Sequence, residues 1–202
     1  MRTCPSLRRG AGLVLGLLCV GALTSGCFSD VVTYELPEEP ARYTLEIETR
    51  GGVHTSWEYT SQGVDEDANP DEQPCIGEMF QFQAPDTPCR PEPLIFLRYD
   101  LDLALDNTAP AGTSHTITVT AYYQERLDSP PVVTDLQAEV SFDDGQTWAA
   151  VPVTRVGDGV YEVRITHPAL SATSGTVGLR VSAADSQGNT VRQTIPHAYR
   201  LR

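Results

Sequence analysis

Leu136-Gln137-Ala138-Glu139-Val140-Ser141-Phe142, closed by Asp143-Asp144-Gly145 and followed by Trp148, is the stretch that decides the fold. Leu136, Ala138, Val140 and Phe142 alternate with polar residues, which is the period of a strand with one buried face. Asp and Gly then tolerate the positive φ of a tight turn, so the chain doubles back. Upstream, Ile117, Val119, Ala121 and Tyr123 share one face of a predicted strand, with threonines on the other. Downstream, Gly157-Asp158-Gly159 turns the chain into the alternating Tyr161, Val163 and Ile165. Leu179, Val181 and Ala183 repeat the pattern, and Asp185 to Asn189 turns into a last strand over 190–195. No stretch beyond residue 26 has convincing 3.6-residue periodicity. Short strands at fairly regular spacing with turns between them predict an all-β sandwich.

The sandwich is expected over 107–202, with a second, smaller β domain before it over 43–106. There Thr44-Leu45-Glu46-Ile47-Glu48-Thr49 alternates strictly until Gly51-Gly52, and a hairpin with Thr55 to Ser61 would put Trp57 and Tyr59 on one core-facing side. Leu94-Ile95-Phe96-Leu97 opens another apolar strand, expected to run through Tyr99, Leu101, Leu103 and Leu105. Between them, 62–93 carries five acidic residues over 65–72, several prolines, Cys75 and Cys89. Such a segment cannot form a long helix and reads as an acidic surface excursion, with one short strand over Gly77 to Phe82. Asp65 to Asp71 invites a calcium reading, but it lacks the glycine and terminal glutamate of an EF-hand loop, and a solvated acidic loop accounts for it.

The amino terminus predicts where the protein works. Arg2, Arg8 and Arg9 precede an apolar run from Ala11 to Leu23 that is short for a bilayer span, and Leu23-Thr24-Ser25-Gly26-Cys27 closes it. This run resembles the lipobox of bacterial lipoproteins, with Thr24 where Leu is commonest. The resemblance implies a signal peptide over 1–26, cleavage before Cys27, and a diacylglyceryl thioether and acyl chain on that cysteine. Each buried methylene would add roughly 0.8 kcal/mol of membrane affinity. Residues 27–42, polar and proline-bearing, suit an extended tether from the extracytoplasmic face of the membrane.

Without residues 1–26 the chain keeps eleven arginines, no lysine and 27 acidic residues, a net charge of −16. Such a surface repels polyanions, so no nucleic-acid partner is expected. Cys4 and Cys19 lie in the signal and Cys27 takes the lipid, which leaves Cys75 and Cys89. In an exported setting these pair most simply, and a loop of that size would add roughly 3 kcal/mol of stability. A zinc site is the weaker alternative, since no histidine lies near either cysteine in sequence.

Longer motifs carry a second likeness. Ser141 to Trp148, Gly178 to Asp185 with Gly188-Asn189, and Ala198-Tyr199-Arg200-Leu201 resemble the C-terminal immunoglobulin-like or fibronectin-like β modules of secreted actinobacterial subtilisin-like peptidases. Thr55 to Ser61, Leu94 to Tyr99 and Ala109-Pro110-Ala111-Gly112 are similar to the segment preceding that module. The chain has no room for the peptidase domain itself, so the resemblance implies an accessory β region and no proteolysis.

No catalytic constellation emerges. Gly112-Thr113-Ser114 resembles a subtilisin nucleophile run, but an alternating strand follows where that chemistry needs a helix. His54, His115, His167 and His197 are scattered and lack a zinc-peptidase spacing. Asp143, Asp144 and Asp185 could collect a cation at a sandwich end, though turn chemistry accounts for them first. No cofactor is implied. The expected function is therefore a non-catalytic binding or scaffold module held to the membrane through Cys27, with a protein or envelope polysaccharide as ligand. The alternatives are an accessory partner of a separately encoded extracellular peptidase, or a hydrolase using surface carboxylates.

Overall fold

The computed structural model describes residues 34–66 and 88–202, together with the backbone of Ser6–Arg9, Ser25–Phe28 and Val31–Tyr34. Among the described residues, fourteen strands follow in chain order: β1 (Ser6–Arg9), β2 (Ser25–Phe28), β3 (Val31–Tyr34), β4 (Ala41–Glu48), β5 (His54–Ser61), β6 (Phe96–Asp100), β7 (Thr108–Ala109), β8 (Ser114–Tyr122), β9 (Val133–Ser141), β10 (Ala149–Val151), β11 (Val153–Gly157), β12 (Val160–Thr166), β13 (Thr176–Asp185) and β14 (Thr190–Leu201). One 3₁₀ turn at Leu170–Ala172 is the only helical element among the described residues, and no helix there is long and apolar enough to cross a membrane.

Two sheets pack face to face. The larger runs β1-β4-β5-β14-β13-β9-β10, with β7 added in parallel to the end of β14. The smaller runs β11-β12-β8-β6, and β2 with β3 stands apart as a two-stranded ribbon. Alternation fixes which side chains meet. Ile117, Val119, Tyr161, Val163 and Ile165 from the small sheet and Leu136, Val140, Leu179, Val181 and Val191 from the large one are all buried in one cluster. Burying one side chain of this size contributes roughly 1.5–3 kcal/mol.

Residues 43–106, expected to form a domain of their own, have no separate core among the described residues. Tyr43, Leu45, Trp57 and Tyr59 belong to the same cluster as the strands after residue 107. The pairing explains this: β5 runs antiparallel to β14, with Trp57 opposite Val191, so the first hairpin extends the large sheet. The predicted strand through Leu105 also ends early. Asp102 and Asn107 take positive φ (45° and 59°), Asn107 N donates to Ala104 O, and Leu105 is left fully exposed. Gly77 to Phe82 and Asp67 to Asp71 lie outside the described residues, while Asp65 and Glu66 are exposed.

Candidate binding face and two buried polar clusters

The outer face of the large sheet is polar and is organised around Trp148. In the turn after β9, Gln146 N donates to Asp143 O, with Asp144 and Gly145 at φ 56° and 83°. The turn is locked from beneath. Asp143 Oδ1 accepts from Ser141 Oγ (2.8 Å) and Thr147 N (2.9 Å), and Asp143 Oδ2 accepts from Thr147 Oγ1. These donors hold its carboxyl at about 2, below the usual carboxylate range. Asp144 accepts from Ser174 Oγ and Thr176 Oγ1, which ties the turn to the start of β13.

So held, the turn lays the indole on the sheet. Trp148 Nε1 donates to Gly145 O at 3.1 Å, and its ring lies 3.9 Å from the Arg180 guanidinium carbon. A Cβ at Gly178 would meet the indole at 3.1 Å, so a glycine is what lets the ring lie this close to β13. Arg180 in turn reaches Glu139 (3.3 Å), which also faces Arg192 (3.6 Å). A half-buried aromatic plate braced by a cation and a shared carboxylate is a rigid contact surface.

Below the sheets lie two polar clusters. At one end His115 and His167 stack with ring centroids 5.3 Å apart, and Tyr199 closes on both. His167 is 2% exposed. Its Nδ1 sits 2.8 Å from Pro110 O, a carbonyl that can only accept, so Nδ1 carries the proton. Nε2 is then the acceptor for the Tyr199 hydroxyl at 2.8 Å. Burial, with His115 alongside, pushes His167 below the usual imidazole range. His115 Nε2 donates to Leu101 O at 2.8 Å.

The other cluster gathers Ser61, Arg90, Glu92 and Gln124. Ser61 Oγ donates to Glu92 Oε1 (2.8 Å) and accepts from Arg90 Nη2 (2.9 Å), while Gln124 Nε2 donates to Glu92 O (3.0 Å). Desolvation raises Glu92 above the usual carboxylate range. Glu92 Oε2, Arg90 Nε and the Tyr43 hydroxyl are buried without a hydrogen-bond partner among the described residues.

The sequence-predicted positions fall as follows. Cys27 lies in β2, where only the backbone is described, Cys75 lies outside the described residues, and Cys89 is half-buried. Ser114 opens β8, is exposed, and is followed by strand. Asp185 is saturated by turn chemistry: Oδ1 accepts from Gln187 N and Asn189 N, and Oδ2 from Asn189 Nδ2 and Tyr123 OH. His54 and His197 stay exposed and apart. The His115–His167 pair was missed, yet a signal existed. His115 stands two residues before Ile117 and His167 two after Ile165, so the alternation that buries the isoleucines also aims both imidazoles inward.

No protein-family model and no curated protein sequence matches this chain.

Proposed function

We propose that the protein is a membrane-anchored, extracytoplasmic lipoprotein whose mature part is a non-catalytic binding module of immunoglobulin-like type. Cys27 carries the lipid, 27–42 is the tether, and the sandwich presents the outer face around Trp148 to a protein or envelope polysaccharide. The braced Trp148 plate carries this reading. An indole fixed by Arg180, Glu139 and Gly145 offers planar apolar area at little entropic cost, beside hydrogen-bonding groups. The His115–His167 cluster supports it from the other side, because the ring nitrogens of His167 are spent on Pro110 and Tyr199.

A clip between Cys75 and Cys89 belongs to the same reading, and Cys89 does not stand as a free thiol. The likeness to peptidase appendages supports an accessory role without proteolysis.

Two measurements test this. Mass spectrometry of the protein purified from membranes is expected to find Cys27 as the acylated first residue and Cys75 and Cys89 oxidised. Co-sedimentation with purified cell envelope is expected to lose at least tenfold in affinity on Trp148→Ala, with melting unchanged. Equal binding by that variant would remove the Trp148 face from the reading.

A further inference from the structure

The edge of the large sheet at β4 differs from every other described edge. β10 has three residues and ends against Pro152, β11 is broken by a bulge between Arg155 and Gly157, and β6 has five residues. These are the devices by which sheets blunt their edges. β4 is eight residues long, regular against β5 throughout, and free of proline. Its edge is taken by β1, antiparallel, with Leu7 opposite Leu45 and Arg8 opposite Thr44. Residues 6–9 fall within the segment assigned above to the signal peptide. On that reading, on which this inference rests, processing takes the covering strand away.

The direction of the exposed backbone groups follows from the β4–β5 turn. Thr49 N donates to Val53 O at 2.9 Å, which continues the register of Ile47 with Thr55 and Leu45 with Trp57. Hydrogen-bonded pairs alternate along an antiparallel ladder, so odd residues of β4 point their N–H and C=O toward β5. Arg42, Thr44, Glu46 and Glu48 therefore point theirs outward.

We infer that the processed protein pairs with a second copy of itself through β4, antiparallel about a two-fold axis at Leu45. Three constraints select this register. Outward groups must face outward groups, which puts even residues opposite even ones. An axis at Glu46 would oppose two Glu46 carboxylates, and an axis at Ile47 would set Glu46 against Glu48. An axis at Thr44 would bring Pro40, which has no N–H, opposite Glu48. With the axis at Leu45, Arg42 faces Glu48 twice, Thr44 faces Glu46 twice, and on the inner face Tyr43 meets Ile47 and Leu45 meets Leu45. Arg42 with Glu48 is then complementary in charge, Tyr43 with Ile47 and Leu45 with Leu45 are apolar pairs, and no like charges stand directly opposite. An isologous contact of this kind closes, so it gives a dimer and no filament. Anchorage of both copies in one membrane raises their effective concentration.

Sedimentation velocity on the processed protein in detergent, with its mass determined in parallel, tests this. The wild type is expected as a dimer. Arg42→Glu or Glu48→Arg alone should weaken association about tenfold, and the two together should restore it. Thr44→Pro removes an outward N–H without touching the β5 ladder, and should leave a folded monomer whose cooperative melt no longer depends on protein concentration. A processed wild type that is monomeric, or that carries a foreign strand in place of a second copy, overturns the self-pairing and leaves the lipoprotein reading standing. Failure of the double variant to restore association overturns the register. A chain found intact from Met1 overturns both, because Ser6–Arg9 then keeps the edge.

Discussion

The two buried polar clusters teach opposite lessons about placing a titratable group inside a sandwich. Around His167 each ring nitrogen has one partner of the right kind, a carbonyl for the N–H and a hydroxyl for the lone pair. Around Glu92 one carboxylate oxygen is satisfied by Ser61 and the other is not, and Arg90 keeps an unpaired Nε among the described residues. A neutral group whose valences are all met locks the end of the fold. An ion held with valences left over costs stability for as long as it stays charged.

The largest test of that contrast is His167→Ala. It would strand Pro110 O and the Tyr199 hydroxyl and open a void beside Phe142, costing about 4 kcal/mol in a denaturant melt. A loss below about 1 kcal/mol would break the comparison. Glu92→Gln should go the other way. The amide keeps an acceptor for Ser61 and removes the desolvated charge, for a gain on the order of 1 kcal/mol at pH 8. Because folding raises the Glu92 pKa, the native state holds its proton more tightly than the unfolded chain. The wild type is therefore relatively stable below about 4.5 and loses that advantage as pH rises through the folded value. The gain from Glu92→Gln should accordingly vanish by pH 4.

The third test concerns slope alone and is the smallest effect. Folding lowers the His167 pKa, so the unfolded chain binds the proton more tightly. Stability from this group is complete above about 6.5 and falls as pH drops below that value. The cost of His167→Gln, measured from pH 7.5 down to pH 5, should shrink with acidity. A cost constant across that range would mean that the imidazole titrates the same way folded and unfolded. His115 and Tyr199, which face His167 directly, should be held unchanged in that series.

Much of the sandwich was legible because alternation is a local signal. Ile117, Val119, Leu136, Val140, Tyr161, Val163, Leu179 and Val181 all read as inward, and all are buried. The Asp143-Asp144-Gly145 turn was equally plain, since positive φ limits the residues that can form it. The pairing of β5 with β14 was not legible, because Trp57 and Val191 are far apart in sequence and any buried strand would have offered the same pattern. For the same reason the Trp148 plate read only as a residue after a turn. Its meaning depends on Gly178 and Arg180, which reach it through the β9–β13 register. Leu105 was misread because alternation alone does not register the left-handed turns at Asp102 and Asn107.

β14 pairs along its length with β5, β13 and β7, and the chain makes all three before it makes β14. A nascent polypeptide emerging amino end first must hold β5 and β13 apart, each lacking a neighbour, until Thr190–Leu201 has been delivered. Contacts this distant make folding slow, on the order of milliseconds to seconds. The order of synthesis thus leaves the large sheet open between β5 and β13 until Thr190–Leu201 arrives.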